Sequence, residues 1–318
     1  ALYTKMHHSM VDGMAGMHLM QSRMASSADE NLPAPWSGEW DKRKKPRQKN
    51  VAVAAKAGVL DGVGSVRRGA GQLVDLLRLP KESNVKTIYR APKTVLNRRV
   101  TGARRFAAQS WSLPRIKAAA KKHNGTVNDI FLAMCGGAMR RYLESLDALP
   151  AEPLVAQVPV SLRSADQAEG GGNAITTVQV SLATHIASPL GRLVAIQESM
   201  QAVKTRLGEM QKADIDVYTV MTNMPLSLGQ VTGLSGRVSP MFNLVISNVP
   251  GPKETLYFNG AELLASYPVS LVLHGYALNI TVVSYKESLE FGVIGCRDTL
   301  PHIQRFLDYF EASLAELE

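Results

Sequence analysis

Cysteine is nearly absent. The chain has two among 318 residues, Cys135 and Cys296, each inside an apolar stretch. No paired spacing suggests a disulfide framework or a thiolate zinc site, so both read as buried structural thiols in a reducing compartment. Aromatic residues are scarce at 6%, so the core has to be built from Val, Ile, Leu and Ala, which a hydrophobic content of 45% supplies. No apolar run approaches the ~18–20 residues that a membrane-spanning helix needs. Residues 1 to 20 carry His, Asp and Gly where the apolar region of a secretory signal would stand. The chain begins at Ala1, already inside a strand-like pattern, and reads as a piece of a longer polypeptide or as an internal start left by processing. Its length suits one large domain or two ordinary ones.

Acidic residues are thin in one region. Residues 39–105 hold 18 of the 36 Lys and Arg but 5 of the 27 Asp and Glu, so this segment carries +13 and the remainder −4 of the net +9. A basic segment on a mildly acidic globule argues against a nucleic-acid-binding surface and for an electrostatically sticky element. Lys42, Arg43, Lys44, Lys45, Arg47 and Lys49 suit an anionic membrane surface, each contributing ~1 kcal/mol near it. The basic residues from 90 to 105 suit phosphate groups. The plain alternative is a solvated basic linker.

The pattern of what is present is that of interleaved helices and strands. Residues 1–8 alternate, with Leu2, Thr4, Met6 and His8 on one face and Ala1, Tyr3, Lys5 and His7 on the other. The first set is free of formal charge, so His8 rather than His7 faces inward. Gly13–Met24 follows as a helix, 26–50 as a Pro-rich, then basic loop, 51–79 as an amphipathic helical region weakened by glycines, and 80–100 as an irregular basic stretch. From about Gly102 the signals sharpen. RRFAAQSWSL (104–113) reads as a strand, and Ser112 caps a helix with Pro114 in its first turn. TVNDIFLAMCGGAMRRYLESL (126–146) reads as a buried helix with Thr126 as N-cap and Asp129 three residues on. Residues 154–163 and 174–183 read as strands around the loop EGGGN (169–173), which lacks the spacing of a dinucleotide fingerprint or a P-loop. Pro189–Met210 reads as an amphipathic helix, 242–252, 277–285 and 288–296 as strand candidates, and Leu300–Leu317 as a closing helix. The alternation lacks a strict βαβ rhythm, so the expected class is α/β (α+β layers) with a mixed sheet.

His8 is the first candidate for chemistry, because a neutral imidazole with a pKa near ~6.5 accepts protons at neutral pH. Adjacent strand residues point to opposite faces, which makes a metal site shared by His7, His8 and Asp12 poor on geometry. Asp12 suits a helix cap or loop brace, and Gly13 a tight turn. The residues alone allow equally well two structural histidines beside a capped helix. S-N-V-P-G-P (247–252) reads as a rigid turn, and His18, His123, His185, His274 and His302 are scattered.

HHSMVDG, residues 7–13, matches the HHxxxDG pattern, and six further segments appear in order: GTVNDIFLAMCGGAMRRYL (125–143), VPVSLR (158–163), GGGN (170–173), NLVISNVPGP (243–252), LNITVVSY (278–285) and GCRD (295–298). This set resembles the bacterial wax ester synthase/acyl-CoA:diacylglycerol acyltransferase family of the chloramphenicol acetyltransferase-like superfamily, over nearly the whole chain and most weakly over 33–100. The resemblance implies two similar domains with mixed sheets and an active-site tunnel between them. It places the end of the first domain, carrying HHxxxDG, at 1–32, a basic linker or helical crossover at 33–100, and the C-terminal domain at 101–318. It implies that most of the first domain is supplied by a separate N-terminal fragment of the same protein.

Carried over residue by residue, the resemblance makes His8 the general base and Asn128 a member of the site. His7, Asp12 and Gly13 then shape the motif loop, and Asp129 serves as a cap. The implied reaction is transfer of a long-chain acyl group from acyl-CoA to a fatty alcohol or diacylglycerol. Acyl-CoA is a substrate, and no cofactor or metal is expected. Cys135 and Cys296 show no activating neighbour in sequence, so no acyl-enzyme is needed. The implied setting is cytoplasmic, peripheral to an anionic membrane or lipid-droplet surface, with no nucleic-acid partner. Two rivals follow: a condensation-type or polyketide-associated acyltransferase fed by a carrier-protein thioester, and a catalytically silent membrane- or partner-binding module.

Overall fold

A computed structural model describes residues 2–5, 13–34, 91–161, 175–210 and 212–318. The basic cluster 42–49, the expected helical region 51–79 and the loop EGGGN lie outside the described residues.

Hydrophobic alternation and caps set the elements. Helix α1 is Gly13–Gln21. Strand β1 (Arg104–Ser112) leads into α2 (Leu113–Lys122), whose first amides are met by Ser112: its Oγ accepts from Arg115 N, and Pro114 stands where no N–H is needed. Helix α3 (Val127–Glu144) follows, then β2 (Val155–Ser161), β3 (Ile175–Ser181) and α4 (Pro189–Glu209), which Ser188 caps. Helix α5 (Lys212–Val231), β4 (Leu244–Val249), the short pair β5 (Tyr257–Phe258) and β6 (Ala261–Glu262), β7 (Leu278–Tyr285), β8 (Ser288–Cys296) and α6 (Arg305–Ala315) complete the order.

Six strands form one mixed sheet in the order β1-β8-β7-β4-β2-β3. Strand β4 runs parallel to both neighbours, β2 and β7, and the other pairings are antiparallel. This is the α/β layering with a mixed sheet that the pattern led us to expect. One face carries Ala156, Val158, Leu244, Ile246, Ile280, Val282, Phe291 and Val293 against the helical layer, in which α3 packs beside α2, α4 and α6. Fully burying each such side chain contributes ~1.5–3 kcal/mol. Few aromatics are needed because they are stacked together: Trp111 lies 4.4 Å from Phe291, and Phe131 meets the same ring edge-on at 5.3 Å. Helix α3 is apolar nearly all round and is buried from Asp129 to Met139. Its Gly136 and Gly137 let Leu182 and Ser313 approach to where a methyl group would stand.

Several expectations need correction. Residues 2–5 are exposed and form no strand. An alternating segment becomes a strand only when a neighbouring backbone bonds it, and among the described residues none lies against 2–5. The stretch 80–100 is not irregular throughout. Thr94 caps a 3₁₀ turn, Val95–Asn97, and Leu96 is fully buried. Asn97 donates to the carbonyls of Phe242 (3.0 Å) and Gly275 (2.9 Å) and accepts from Asn243 (2.8 Å), which ties this stretch into the sheet. Helix α5 corresponds to no sequence expectation, because Pro225 and Gly229 inside it read as breaks. The closing helix starts at Arg305 rather than Leu300, since Pro301 lacks an N–H and His302 takes a left-handed φ of 55°.

Candidate active site

The start of α3 is fixed by its own first four residues. Thr126 Oγ accepts from Asp129 N (3.2 Å), while the Thr126 backbone N–H and hydroxyl both donate to Asp129 Oδ2 (2.8 Å each). Asp129 is 6% exposed, and its carboxylate is occupied by this capping box. From behind, α4 closes on the turn: a Cβ at Gly125 would stand 2.6 Å from Gln197 Nε2.

Asn128 sits between cap and helix, in the first turn and half-buried. Unpaired first-turn amides and the helix dipole favour negative charge in front of such a residue. Its Oδ1 accepts from Asn248 Nδ2 at 3.5 Å. Asn248 is near the C-terminal end of β4, paired with Val282 of β7. Three residues on, Gly251 N donates to Ser284 Oγ (2.9 Å). A Cβ at Gly251 would crowd the Ser284 carbonyl oxygen and stand 2.9 Å from Val283 Cγ1. The S-N-V-P-G-P turn is therefore pressed onto β7, and it holds Asn248 against the mouth of α3.

The same segment reaches towards the motif. Beyond the turn, Tyr257 and Ala25 exchange two backbone hydrogen bonds of 2.8 Å each. Ala25 follows α1, which opens with Gly13 of HHSMVDG. One run of chain thus joins the exit of β4 to the stretch after the motif helix. His7, His8 and Asp12 lie outside the described residues. Of the residues singled out from sequence, Gly13, Asn128 and Asp129 are described, and only the last two are brought together.

The sequence did not single out Asn248, which the structure brings to Asn128. The only local signal was a polar side chain near the end of an apolar strand, and the 120 residues between it and Asn128 hide the contact. The thiols stay in the core: both are buried. Burial pushes Cys135 well up. For Cys296 burial also pushes upward, but hydrogen bonds with Thr299 and Thr101 outweigh it and bring the thiol down to about 7. These hydroxyls are neighbours that the sequence did not reveal, 3.2 and 3.7 Å from Sγ. The sulfur nevertheless faces the core at the end of β8, away from the mouth of α3. His274 Nδ1 accepts from Val100 N (3.1 Å); burial and the charges of Arg99 and Arg104 hold its pKa down. His123 bonds the carbonyl of Leu317. Among the described residues no group of His, Cys, Asp and Glu is arranged to hold a metal ion.

On the other side of the sheet, α5 covers β2 and β3 through a polar layer. Gln157 donates to Asn223 (3.1 Å) and Asn223 to Thr177 (3.0 Å), beside a shallow surface dip lined by Gln157, Thr177, Gln179, Tyr218 and Thr222.

Comparison with known proteins covers the whole chain. The family model for the wax ester synthase/diacylglycerol acyltransferase catalytic domain matches residues 1–131, and that for the WS/DGAT C-terminal domain matches 171–318. A Mycobacterium tuberculosis protein provisionally named a diacylglycerol O-acyltransferase is 44% identical over 324 residues, covering 100% of this chain and 70% of its own length. O-acyltransferase WSD of Acinetobacter baylyi is 40% identical, with 100% of this chain and 70% of its own length covered. Among solved structures, a wax ester synthase/diacylglycerol acyltransferase from Marinobacter aquaeolei superimposes with a TM-score of 0.74 at 38% identity, covering 98% of this chain and 66% of that one. A starter condensation domain of rhizomide synthetase shares the fold, with a TM-score of 0.52 at 14% identity, covering 97% of this chain and 65% of that one.

Proposed function

The chain belongs to the wax ester synthase/diacylglycerol acyltransferase family and is an O-acyltransferase, and we propose that it moves a long-chain acyl group from acyl-CoA to a fatty alcohol or to the free hydroxyl of diacylglycerol, with His8 as general base and Asn128 as oxyanion donor. An alcohol is a weak nucleophile until it loses its proton. The His8 imidazole takes that proton as the alcohol oxygen attacks the thioester carbonyl carbon. Charge then collects on the carbonyl oxygen, where the Asn128 side-chain N–H donates to it. Collapse of the tetrahedral intermediate re-forms the carbonyl, breaks the C–S bond and returns the proton from imidazolium to the departing sulfur. No covalent acyl-enzyme and no cofactor enter this sequence. His7, Asp12 and Gly13 shape the loop that presents His8.

The observation that carries this reading is the Asn128 amide, held by its carbonyl end at the tip of a buried 18-residue helix, in a chain whose HHSMVDG segment lies within the matched catalytic domain. A tunnel between two domains is the corresponding site. We assign 1–32 to the end of the first domain, 33–100 to the crossover and 101–318 to the second domain, whose six-stranded sheet lies between Arg104 and Cys296. The chain spans 70% of the length of these relatives, and our reading includes a separate N-terminal fragment of the same protein that completes the first domain.

No helix among the described residues is long and apolar enough to cross a membrane. We place the protein in the cytoplasm, peripheral to an anionic membrane or lipid droplet. Exposed Val231 (87%), Leu234, Val238 and Leu273 support this, because Arg99, which bonds the carbonyl of Gly233, and Arg237 stand among them.

The test joins this chain to the N-terminal part of the protein and supplies radiolabelled palmitoyl-CoA with hexadecanol or diolein. Label in wax ester or triacylglycerol is expected. Label in neither, or transfer only from an acyl-carrier-protein thioester, overturns the reading. His8→Ala should abolish turnover in a folded protein. Asn128→Ala should lower kcat by ~10²–10³-fold.

A further inference from the structure

Resting on Asn128 as oxyanion donor, we propose that Asn248, the asparagine of S-N-V-P-G-P, is a positioning residue that fixes which end of the Asn128 amide faces the reacting atoms. A side-chain amide has a donating end and an accepting end, exchanged by a half-turn about its last bond. With the NH₂ end forward it stabilises an oxyanion; with the carbonyl end forward it repels one. The capping box of Thr126 and Asp129 fixes the backbone of Asn128 but leaves that half-turn open.

The only hydrogen bond the Asn128 side chain makes among the described residues is the one from Asn248 Nδ2 to its Oδ1. It engages the carbonyl end and leaves both Nδ2 hydrogens to point elsewhere. At 3.5 Å it is long, so it selects an orientation without locking the pair in place.

Asn248 is itself held from three sides. Its strand β4 lies between β2 and β7, its backbone pairs opposite Val282, and the turn after it is bonded to Ser284 Oγ. The backbone that carries the side chain is therefore fixed on both sides of the strand. S-N-V-P-G-P is on this account more than a turn: its proline and glycine press the chain onto β7, and its asparagine acts on the helix opposite.

Two substitutions and a background separate orientation from mere support. Asn248→Ala removes the donor. Asn248→Asp keeps shape and volume but offers only acceptors, so it draws the Asn128 NH₂ end towards itself and turns the carbonyl end to the substrate. With this chain joined to its N-terminal part, Asn248→Ala is expected to lower kcat by about tenfold, the worth of one net hydrogen bond, with KM for palmitoyl-CoA little changed. Asn248→Asp should lower kcat further than the alanine variant. In an Asn128→Ala background neither change should lower kcat again.

Wild-type kcat for Asn248→Asp, when Asn128→Ala is impaired, overturns the positioning role and leaves Asn128 as donor. Losses that recur in the Asn128→Ala background assign Asn248 to general support and also overturn it. Wild-type kcat for Asn128→Ala overturns the donor reading and this inference with it. If the alanine variant does not fold, the isosteric aspartate carries the comparison.

Discussion

Gly251→Ala tests whether the turn after β4 holds the site in register. A Cβ at this position would stand 2.9 Å from Val283 Cγ1 and closer still to the Ser284 carbonyl oxygen, where ordinary contact begins at 3.4 Å. The Val283 methyl can give a few tenths of an ångström; a carbonyl in the β7 backbone cannot swing aside. The turn has to lift from β7 by at least about half an ångström, stretching the bond from Gly251 N to Ser284 Oγ. Such overpacking costs ~1–3 kcal/mol, which lowers the melting temperature by several degrees. The displacement starts three residues beyond Asn248. Misplacement of a supporting group by ~1 Å can cost ~10²-fold in rate, so the expected loss in kcat lies between about tenfold and a hundredfold, measured well below the melting temperature. Gly208→Ala is the control. Its Cβ meets nothing within 4 Å, so the variant should gain up to ~1 kcal/mol from helix propensity and keep its kcat. Wild-type melting and kcat in Gly251→Ala would refute the close fit. Lost stability with wild-type kcat would refute the link from turn to site.

Three further outcomes concern the fold. Gly137→Ala puts a methyl 2.9 Å from Ser313 Cβ and 3.1 Å from Arg192 Nη2; overpacking of ~1–3 kcal/mol should exceed the ~1 kcal/mol gained in helix propensity. Adding Ser313→Gly should recover part of the loss, and strictly additive melting temperatures would contradict the contact. Asn97→Ala leaves the Phe242 and Gly275 carbonyls and an Asn243 donor without their partner, at ~1–3 kcal/mol for a buried group left unpaired; chemical denaturation with an unshifted midpoint would contradict it. Arg115 bonds Glu311 and Glu318 and holds both carboxyls below their usual range. Their contribution to stability is therefore present above the unfolded pKa near ~4.3 and lost as pH falls through the lower folded values. Arg115→Met should flatten the decline in melting temperature on acidification, and an unaltered acid slope would exclude this pair as its source.

What could be read from the sequence follows from how far apart the cooperating residues lie. The capping box at Thr126 and Asp129, the buried run of α3 and the alternation of β7 and β8 are local patterns, and each stands where periodicity and caps put it. Helix α5 was illegible because Pro225 and Gly229 are local breakers that tertiary packing overrides, with Ile215, Tyr218 and Thr222 buried on one side. Residues 2–5 failed in the opposite direction, since a local strand pattern means little without a bonded neighbour. Asn128 was accessible only through resemblance, and Asn248 not at all, because no spacing rule links a helix's first turn to a strand end 120 residues away.

Because β4 and β7 run the same way, the connection that leaves β4 emerges at the end of the sheet where α3 begins. The scaffold of strand pairings is thereby separated from the rim where Asn128 and Asn248 meet. Exchanging residues 253–255, beyond the part of the turn pressed onto β7, would reshape that rim while leaving every ladder of the sheet intact. A lineage could vary that rim by rewriting one short connection and leave the folding core as it is.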